Sequence, residues 1–437
     1  MVSVVESRSL EESAAPSQQS LLALSWLNFF LSGMQTAFGP IASAYLVLQG
    51  WTAKEIGFVL TMGGIARLIS QVPGGALVDG VRAKRLFATG VVTIGLGVLM
   101  FRLWPSFPLV ALAEVLHGIT GGVLGPGVVA ITLGLVGHAR LSERLGLNQR
   151  FAAAGGVAVT LSMAVIAYSD SPWAMFVPAA LTIPVLISLN WIRAEEINFE
   201  RASGLEPADA DGPQRASYAA LLQNRRLLVF GACAAVFQVA SASMMPLIGG
   251  GLAYEGKRQA APLIAALIVV PQLFVGLVAP WVGRSAEKHG RKPLLLVGFA
   301  ALPIRALLFA VISNPFALII IQLLDVITGA VLGVMTAVVI ADVTKGTGRF
   351  NLAQGMFGTV MGVGASLSPT LTGLIVDQFG RSAGFASLAA EGLVALLILA
   401  LFLPETKEEA PNLARRTPPS GSTSRQSLPH SSTTDLP

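Results

Sequence analysis

Twelve stretches of this chain are each long and apolar enough to cross a lipid bilayer, and that pattern governs what the sequence can fold into. A membrane-spanning helix needs about 20 mostly apolar residues. Such stretches run near 21–47, 54–78, 85–104, 107–136, 149–169 and 172–192, then 227–253, 260–283, 293–313, 315–341, 351–376 and 382–403. The chain therefore reads as an all-α membrane protein of twelve transmembrane helices. Gly and Pro interrupt several spans, as at Gly121-Gly122 and Gly125-Pro126-Gly127, which neighbouring helices tolerate by re-satisfying the freed backbone groups. Composition agrees: 53% of the 437 residues are hydrophobic and only 12% charged, where soluble domains carry roughly 25%. So few charges cannot coat a water-exposed surface of this size.

The polar segments divide the chain. Residues 1–20 form a short polar tail with no apolar core of signal-peptide type. Residues 193–226 hold Glu195, Glu196, Glu200, Glu206, Asp209 and Asp211 and read as a central linker between a 21–192 bundle and a 227–403 bundle. Residues 404–437, rich in Ser, Thr, Pro and Arg, read as a disordered tail. Lys and Arg set the orientation. Twelve lie in the loops placed inside, among them Arg82, Lys84, Arg85, Arg140, Arg284, Lys292 and Lys345, against five in the outer loops and their edges. The chain is thus expected in the cytoplasmic (inner) membrane, multi-pass, with both termini, linker and tails cytoplasmic.

The two halves repeat. Residues 116–125, LHGITGGVLG, align with 324–333, LDVITGAVLG, at an offset of 208, with seven of ten positions identical. The same offset carries Gly75, Asp79, Lys84 and Leu86 onto Gly283, Glu287, Lys292 and Leu294. Six spans repeated without inversion give two pseudo-symmetric six-helix bundles about an axis along the membrane normal, with a solute site near the midplane between them.

Residues 283–293, GRSAEKHGRKP, carry a resemblance. They are similar to the loop signature Gly-x-x-x-Asp-Arg-x-Gly-Arg-Lys of the major facilitator superfamily (MFS). The copy at 75–85, GALVDGVRAKR, keeps Gly75, Asp79 and Lys84 but has Arg82 and Ala83 where Gly and Arg are usual. The resemblance covers about 21–403 and implies the MFS fold. It also implies that Asp79 and Glu287 bridge to the opposite half and hold an inner gate shut. Close packing by Gly75 and Gly283 fits that role, as does the partial positive charge at the facing helix N-termini. Lys84, Gly290, Arg291 and Lys292 complete the gating loops, their cations pairing with acids or with anionic lipid; the alternative is a basic loop that only sets topology.

Ionisable groups inside spans are costly and are site candidates by default. Glu114 and His117 lie three apart, on one face of span 4, and the repeat maps them to Gln322 and Asp325 in span 10. The resemblance implies that spans 1, 4, 7 and 10 line the cavity, which would set the two pairs across it from one another. Arg67 in span 2 is placed to neutralise Glu114 or hold an anionic solute. Asp325 and Glu114 are the proton-carrying candidates and His117 a neighbouring relay; the alternative is static pairs that fix helix packing. Arg305 in span 9 reads as a structural pair or a snorkelling side chain. Asn28 and Gln35 share a face of span 1, and Gln238 lies in span 7; these amides can bind solute or tie helices together.

Two departures mark the resemblance. Drug antiporters of the superfamily carry Arg-x-x-x-Gly in span 4, where this chain has Glu114-x-x-His117-Gly118. Their span 5 carries a Gly-Pro element, and residues 151–163, FAAAGGVAVTLSM, hold no proline.

Other classes are poorly supported. No Gly-x-x-x-x-Gly-Lys-Ser/Thr loop is present for ATP. A carboxylate-bridged metal site would need a second Glu-x-x-His, and the single Cys233 excludes an intramolecular disulfide and cysteine-based clusters. A net charge of +5 sits between apolar runs rather than on one face, which argues against nucleic acid. No nucleophile–base pair of an enzyme is legible and no cofactor is expected. The expectation is a monomeric secondary carrier of a small organic solute, proton-coupled and exporting. Proton symport uptake is the alternative, and a non-transporting sensor of the same fold comes third.

Overall fold

The computed structural model describes residues 16–51, 53–80, 83–103, 106–168, 176–204, 217–248 and 260–407. Most of the 1–20 tail, linker residues 205–216 and the tail from 408 onward lie outside them, as does the 249–259 connection. The first half contains α1 (Gln18–Leu48), α2 (Ala53–Gly80), α3 (Ala83–Leu103), α4 (Phe107–Val136), α5 (Leu141–Tyr168) and α6 (Thr182–Trp191). The second contains α7 (Arg225–Ala242), α8 (Ala260–His289), α9 (Lys292–Val311), α10 (Leu324–Thr344), α11 (Phe350–Phe379) and α12 (Arg381–Phe402). Seven stretches among the described residues are by themselves long and apolar enough to cross a membrane.

Local chemistry explains where the helices stop. Gly137, Gly290, Gly346, Gly348 and Gly380 sit at positive φ in the tight connections, a conformation that costs other residues a steric penalty. Asn224 accepts from the N–H groups of Arg226 and Leu227 and starts α7; Asn314 does the same for the turn pair Phe316 and Ala317.

Two spans depart from the expected single helix. The sixth is a turn, Phe176–Ala180, followed by the ten residues of α6. The tenth breaks at Leu323, between a helix Pro315–Gln322 and α10, where i→i−3 bonds tighten the chain.

Each half has its own apolar core. Leu24, Leu27, Phe87 and Ile94 are fully buried in the first half, and Phe230, Phe237, Phe299 and Phe385 in the second. Outer faces leave large apolar side chains bare, such as Ile69, Val311 and Leu401, where lipid rather than water is the natural solvent.

The linker is not a bare strap. Asn198 caps a short helix, Phe199–Ser203, which ends at Gly204 with φ +82. The amide of Asn198 donates to the Gly134 carbonyl of α4, and the Gly204 carbonyl accepts from Gly346 beyond α10. This piece of linker therefore stitches both halves at one end, called the linker end below.

Candidate functional site

The two halves meet along two seams. In the first, α2 runs against α11. The opening turn of α11 presents backbone N–H groups without intrahelical partners, and Asp79 at the close of α2 fills that role from the other half. It accepts from the amides of Asn351 (3.2 Å) and Leu352 (2.9 Å) and from Asn351 Nδ2 (2.8 Å). Negative charge at a helix N-terminus is favoured by the helix dipole. Asn351 Nδ2 also donates to the Ala202 carbonyl of the linker helix. One turn back, a Cβ on Gly75 would run into the Asn351 carbonyl oxygen, and one on Gly355 into that of Gln71. The seam continues to Leu68, whose carbonyl accepts from Thr359 Oγ1 at 3.2 Å.

The second seam joins α5 to α8. Gly283 packs on the Ser142 carbonyl oxygen, and a Cβ on Gly146 would approach the Ala279 carbonyl oxygen to 2.6 Å. Ser142 Oγ donates to the Gly283 carbonyl and to the Glu287 carboxylate. Glu287 also faces Arg291 at 3.6 Å. Ser142 escaped the sequence reading; its place in the first turn of a helix facing the motif loop is the signal that could have found it.

Glycine contacts and hydrogen bonds mark the seams over twelve residues each, 68–79 on α2 and 142–153 on α5. At 1.5 Å per residue these stretches run ~18 Å in from the linker end. The same helices bare apolar side chains along their length: Phe58, Ile65, Ile69 and Leu77 on α2, Val363, Leu367 and Leu371 on α11, Ile268, Leu273 and Leu277 on α8.

The remaining loop residues make local ties. Arg291 binds Asp342 at 3.0 Å and the Ala286 carbonyl at 2.8 Å. Lys84 Nζ donates to the Ile192 carbonyl at the end of α6, and Lys292 Nζ to the Ala400 carbonyl near the end of α12. The two lysines thus hold equivalent carbonyls in the two halves. Gly290, at φ +91, makes the turn into α9.

Deeper in the halves, the two acids stand in different company. Glu114 is buried, and its Oε1 has no hydrogen-bond partner among the described residues. Gly63 of α2 makes room for it; a Cβ there would come within 2.8 Å of Glu114 Oε2. Half-buried His117 sits one turn along, with the Arg67 charge beside it. Arg67 is exposed and lies over Gly121; it makes no ion pair with Glu114. The expected neutralisation of Glu114 by Arg67 is therefore absent from this arrangement.

In the second half Asp325 forms an ion pair with the buried Arg305 of α9. Gln322 Nε2 lies 3.4 Å from Asp325 Oδ2. Next along this face, Thr328 Oγ1 donates to the Gly298 carbonyl of α9. The side chains expected to oppose Glu114 and His117 thus turn toward α9. Asn28 donates to the Leu24 carbonyl of its own helix at 2.8 Å. Gln35 is exposed and Gln238 half-buried, and no hydrogen bond joins them to either acid among the described residues.

Comparison with known proteins places this geometry. The family model described as Major Facilitator Superfamily matches residues 24–277 and 259–431. An uncharacterized MFS-type transporter of Mycobacterium tuberculosis is 36% identical over 388 residues, 88% of this chain and 93% of that one. The class H tetracycline resistance protein of Pasteurella multocida is 34% identical over 142 residues, 32% of this chain and 35% of its own. Among solved structures, the MFS proton:xylose symporter XylE superposes with a TM-score of 0.67 over 89% of this chain and 96% of that one, at 15% identity.

Proposed function

The chain belongs to the major facilitator superfamily, a family of multi-pass membrane transporters, and on that premise we propose that it exports a small organic solute in exchange for protons. The observation that carries the reading is the pair of seams that tie the two halves at the linker end. Asp79 caps α11 in one, and Ser142 meets Gly283 and Glu287 in the other. A molecule sealed at one end by contacts that include three hydrogen bonds to Asp79 is built to trade that seal for one at the other end. The basic loops put the linker end in the cytoplasm in this reading, so the cytoplasmic end is the one tied shut.

Glu114 is the proton carrier in this reading. An ionised carboxyl buried among apolar helices is expensive without a cation or water. No cation binds Glu114 among the described residues, so its charge follows the alternating access of water. Asp325, neutralised by Arg305, fixes α10 to α9 instead. His117 and Arg67, side by side, are placed to receive the solute's polar group. Export is favoured by the stretch shared with the tetracycline resistance protein.

The test is made in proteoliposomes carrying a pH-sensitive dye, screened with a panel of antibiotics and polar metabolites. Wild-type protein should release protons from the lumen when an exported solute is supplied on the opposite side. Glu114→Gln should stay folded, keep solute counterflow and lose proton movement. Proton movement in the same direction as the solute would overturn export by exchange, and unchanged coupling in Glu114→Gln would overturn the assignment of Glu114.

A further inference from the structure

At the linker end of the second half, the starts of α7 and α9 and the end of α12 enclose a cavity of about 440 Å³. Arg225, Arg226 and Lys292 line one side and residues 401–404 the other. This size lies within the ~300–1,000 Å³ of small-molecule sites. Every charged side chain in its lining is a cation. Arg225 and Arg226 are exposed and enter no ion pair among the described residues. Lys292 spends one donor on the Ala400 carbonyl, and an ammonium has three.

The neighbouring acids are committed elsewhere. Glu405 accepts from the backbone amides of Arg291 and Lys292, and Asp342 holds the Arg291 guanidinium. The opposite wall is apolar, with Leu401 73% and Phe402 53% exposed at the end of a membrane-spanning helix. Three cations above bare hydrocarbon, two of them exposed and without an ion pair among the described residues, match a ligand with an anionic head and an apolar body.

The first half supplies the control. Its equivalent cavity, about 780 Å³ around Lys84, is lined by Arg85 but also by Glu195 and Asn190. The all-cationic lining is therefore no mere by-product of the repeat or of basic loops.

We propose that the second-half cavity binds the phosphate of an anionic phospholipid, with the acyl chains leaving along Leu401 and Phe402. Guanidinium groups hold phosphate oxygens two at a time, and basic pockets at helix ends take anionic headgroups. The proposal needs only that the helices stand in a bilayer, so its fate is separate from that of proton-coupled export.

The test embeds the full chain in nanodiscs of phosphatidylcholine with a minor share of phosphatidylglycerol and counts co-released lipid by native mass spectrometry. Wild-type protein should retain phosphatidylglycerol selectively. Arg225→Glu with Arg226→Glu should retain roughly tenfold less or lower still, and the milder Arg225→Gln with Arg226→Gln an intermediate amount. Arg85→Glu should retain as much as wild type. Equal retention in the charge-reversed protein, or an equal loss in Arg85→Glu, would overturn the site. Displacement of the lipid by millimolar inorganic phosphate would overturn the lipid source and assign the cavity to the free anion.

Discussion

The two halves share a backbone plan and differ in what they do with charge. At the linker end, Asp79 and Glu287 occupy equivalent positions in the repeat. Asp79 takes three hydrogen bonds from the first turn of α11, whereas Glu287 takes one hydroxyl from α5 and faces Arg291 in the turn into α9. Deeper in, Glu114 is buried with no cation bound among the described residues, while Asp325 has Arg305. The repeat explains why: position 305 maps to Gly97, and Arg67 maps to Val275. Helix packing survives duplication because small residues are kept. The deep cations sit on different helices in the two copies, Arg67 on α2 and Arg305 on α9, so the two acids stand in different surroundings.

The largest effect expected from this contrast concerns Asp325. Changing it to Asn strands Arg305, only 3% exposed. Breaking a buried pair costs about 3–5 kcal/mol, here toward the lower end because Asp325 is 35% exposed. Thermal unfolding in detergent should show that loss, and Arg305→Met in the same chain should recover most of it. Glu114→Gln should leave thermal stability near wild type. If Asp325→Asn is harmless and Glu114→Gln severe, the assignment of roles to the two acids is reversed.

Asp79→Asn comes next. It replaces a charged acceptor at a helix N-terminus, and hydrogen bonds to charged groups contribute about 1.5–3 kcal/mol each. A loss of ~2 kcal/mol shifts a two-state gate roughly thirtyfold toward opening at the linker end. Glu287→Gln, with its weaker tie to Ser142, should shift the same equilibrium by ~1 kcal/mol or less, about fivefold. Maleimide labelling of a thiol placed on the α2–α11 seam, after replacement of Cys233, measures both. Equal shifts in the two variants would erase the distinction between the seams.

The smallest effect separates the ends of the two bundles. Glu196 follows α6 and accepts from the backbone N–H and hydroxyl of Ser17 at 3.0 Å each, tying the start of α1. Glu405 follows α12 and ties the start of α9 instead. Burial pushes the Glu196 carboxyl up, but bonds from Ser17 and Ser20, with Arg193 alongside, outweigh it and hold it below its ordinary value. A carboxyl lowered by folding stabilises above its ordinary range and loses that contribution as pH falls through its folded value. Amide hydrogen exchange at the start of α1 should therefore quicken at acid pH, and Glu196→Gln should show the quickened rate already at neutral pH.

Much of the architecture was legible because it rests on counting. Apolar runs set the helices, and the 208-residue offset set two copies, since lipid demands long uninterrupted backbone satisfaction. Asp79 stood out through its spacing from Gly75. The Asp325–Arg305 pair did not, because sequence spacing places both residues in spans without saying which face of α10 turns to α9. The linker helix was also missed within an acidic stretch, although Asn198 and Gly204 are an N-cap and a terminating glycine six residues apart. Six residues carry too little periodicity to announce a helix; tertiary contacts with Gly134 and Gly346 settle it.

The central claim is that the molecule rocks, with one end opening as the other shuts. Spin labels at Ser106 and Ser313 report the far end, and labels at Ala139 and Lys288 the linker end, in chains lacking Cys233. Asp79→Asn should lengthen the linker-end distance and shorten the far-end distance in the same fraction of molecules. A linker end that opens while the far end keeps its wild-type distance would contradict alternating access in this chain.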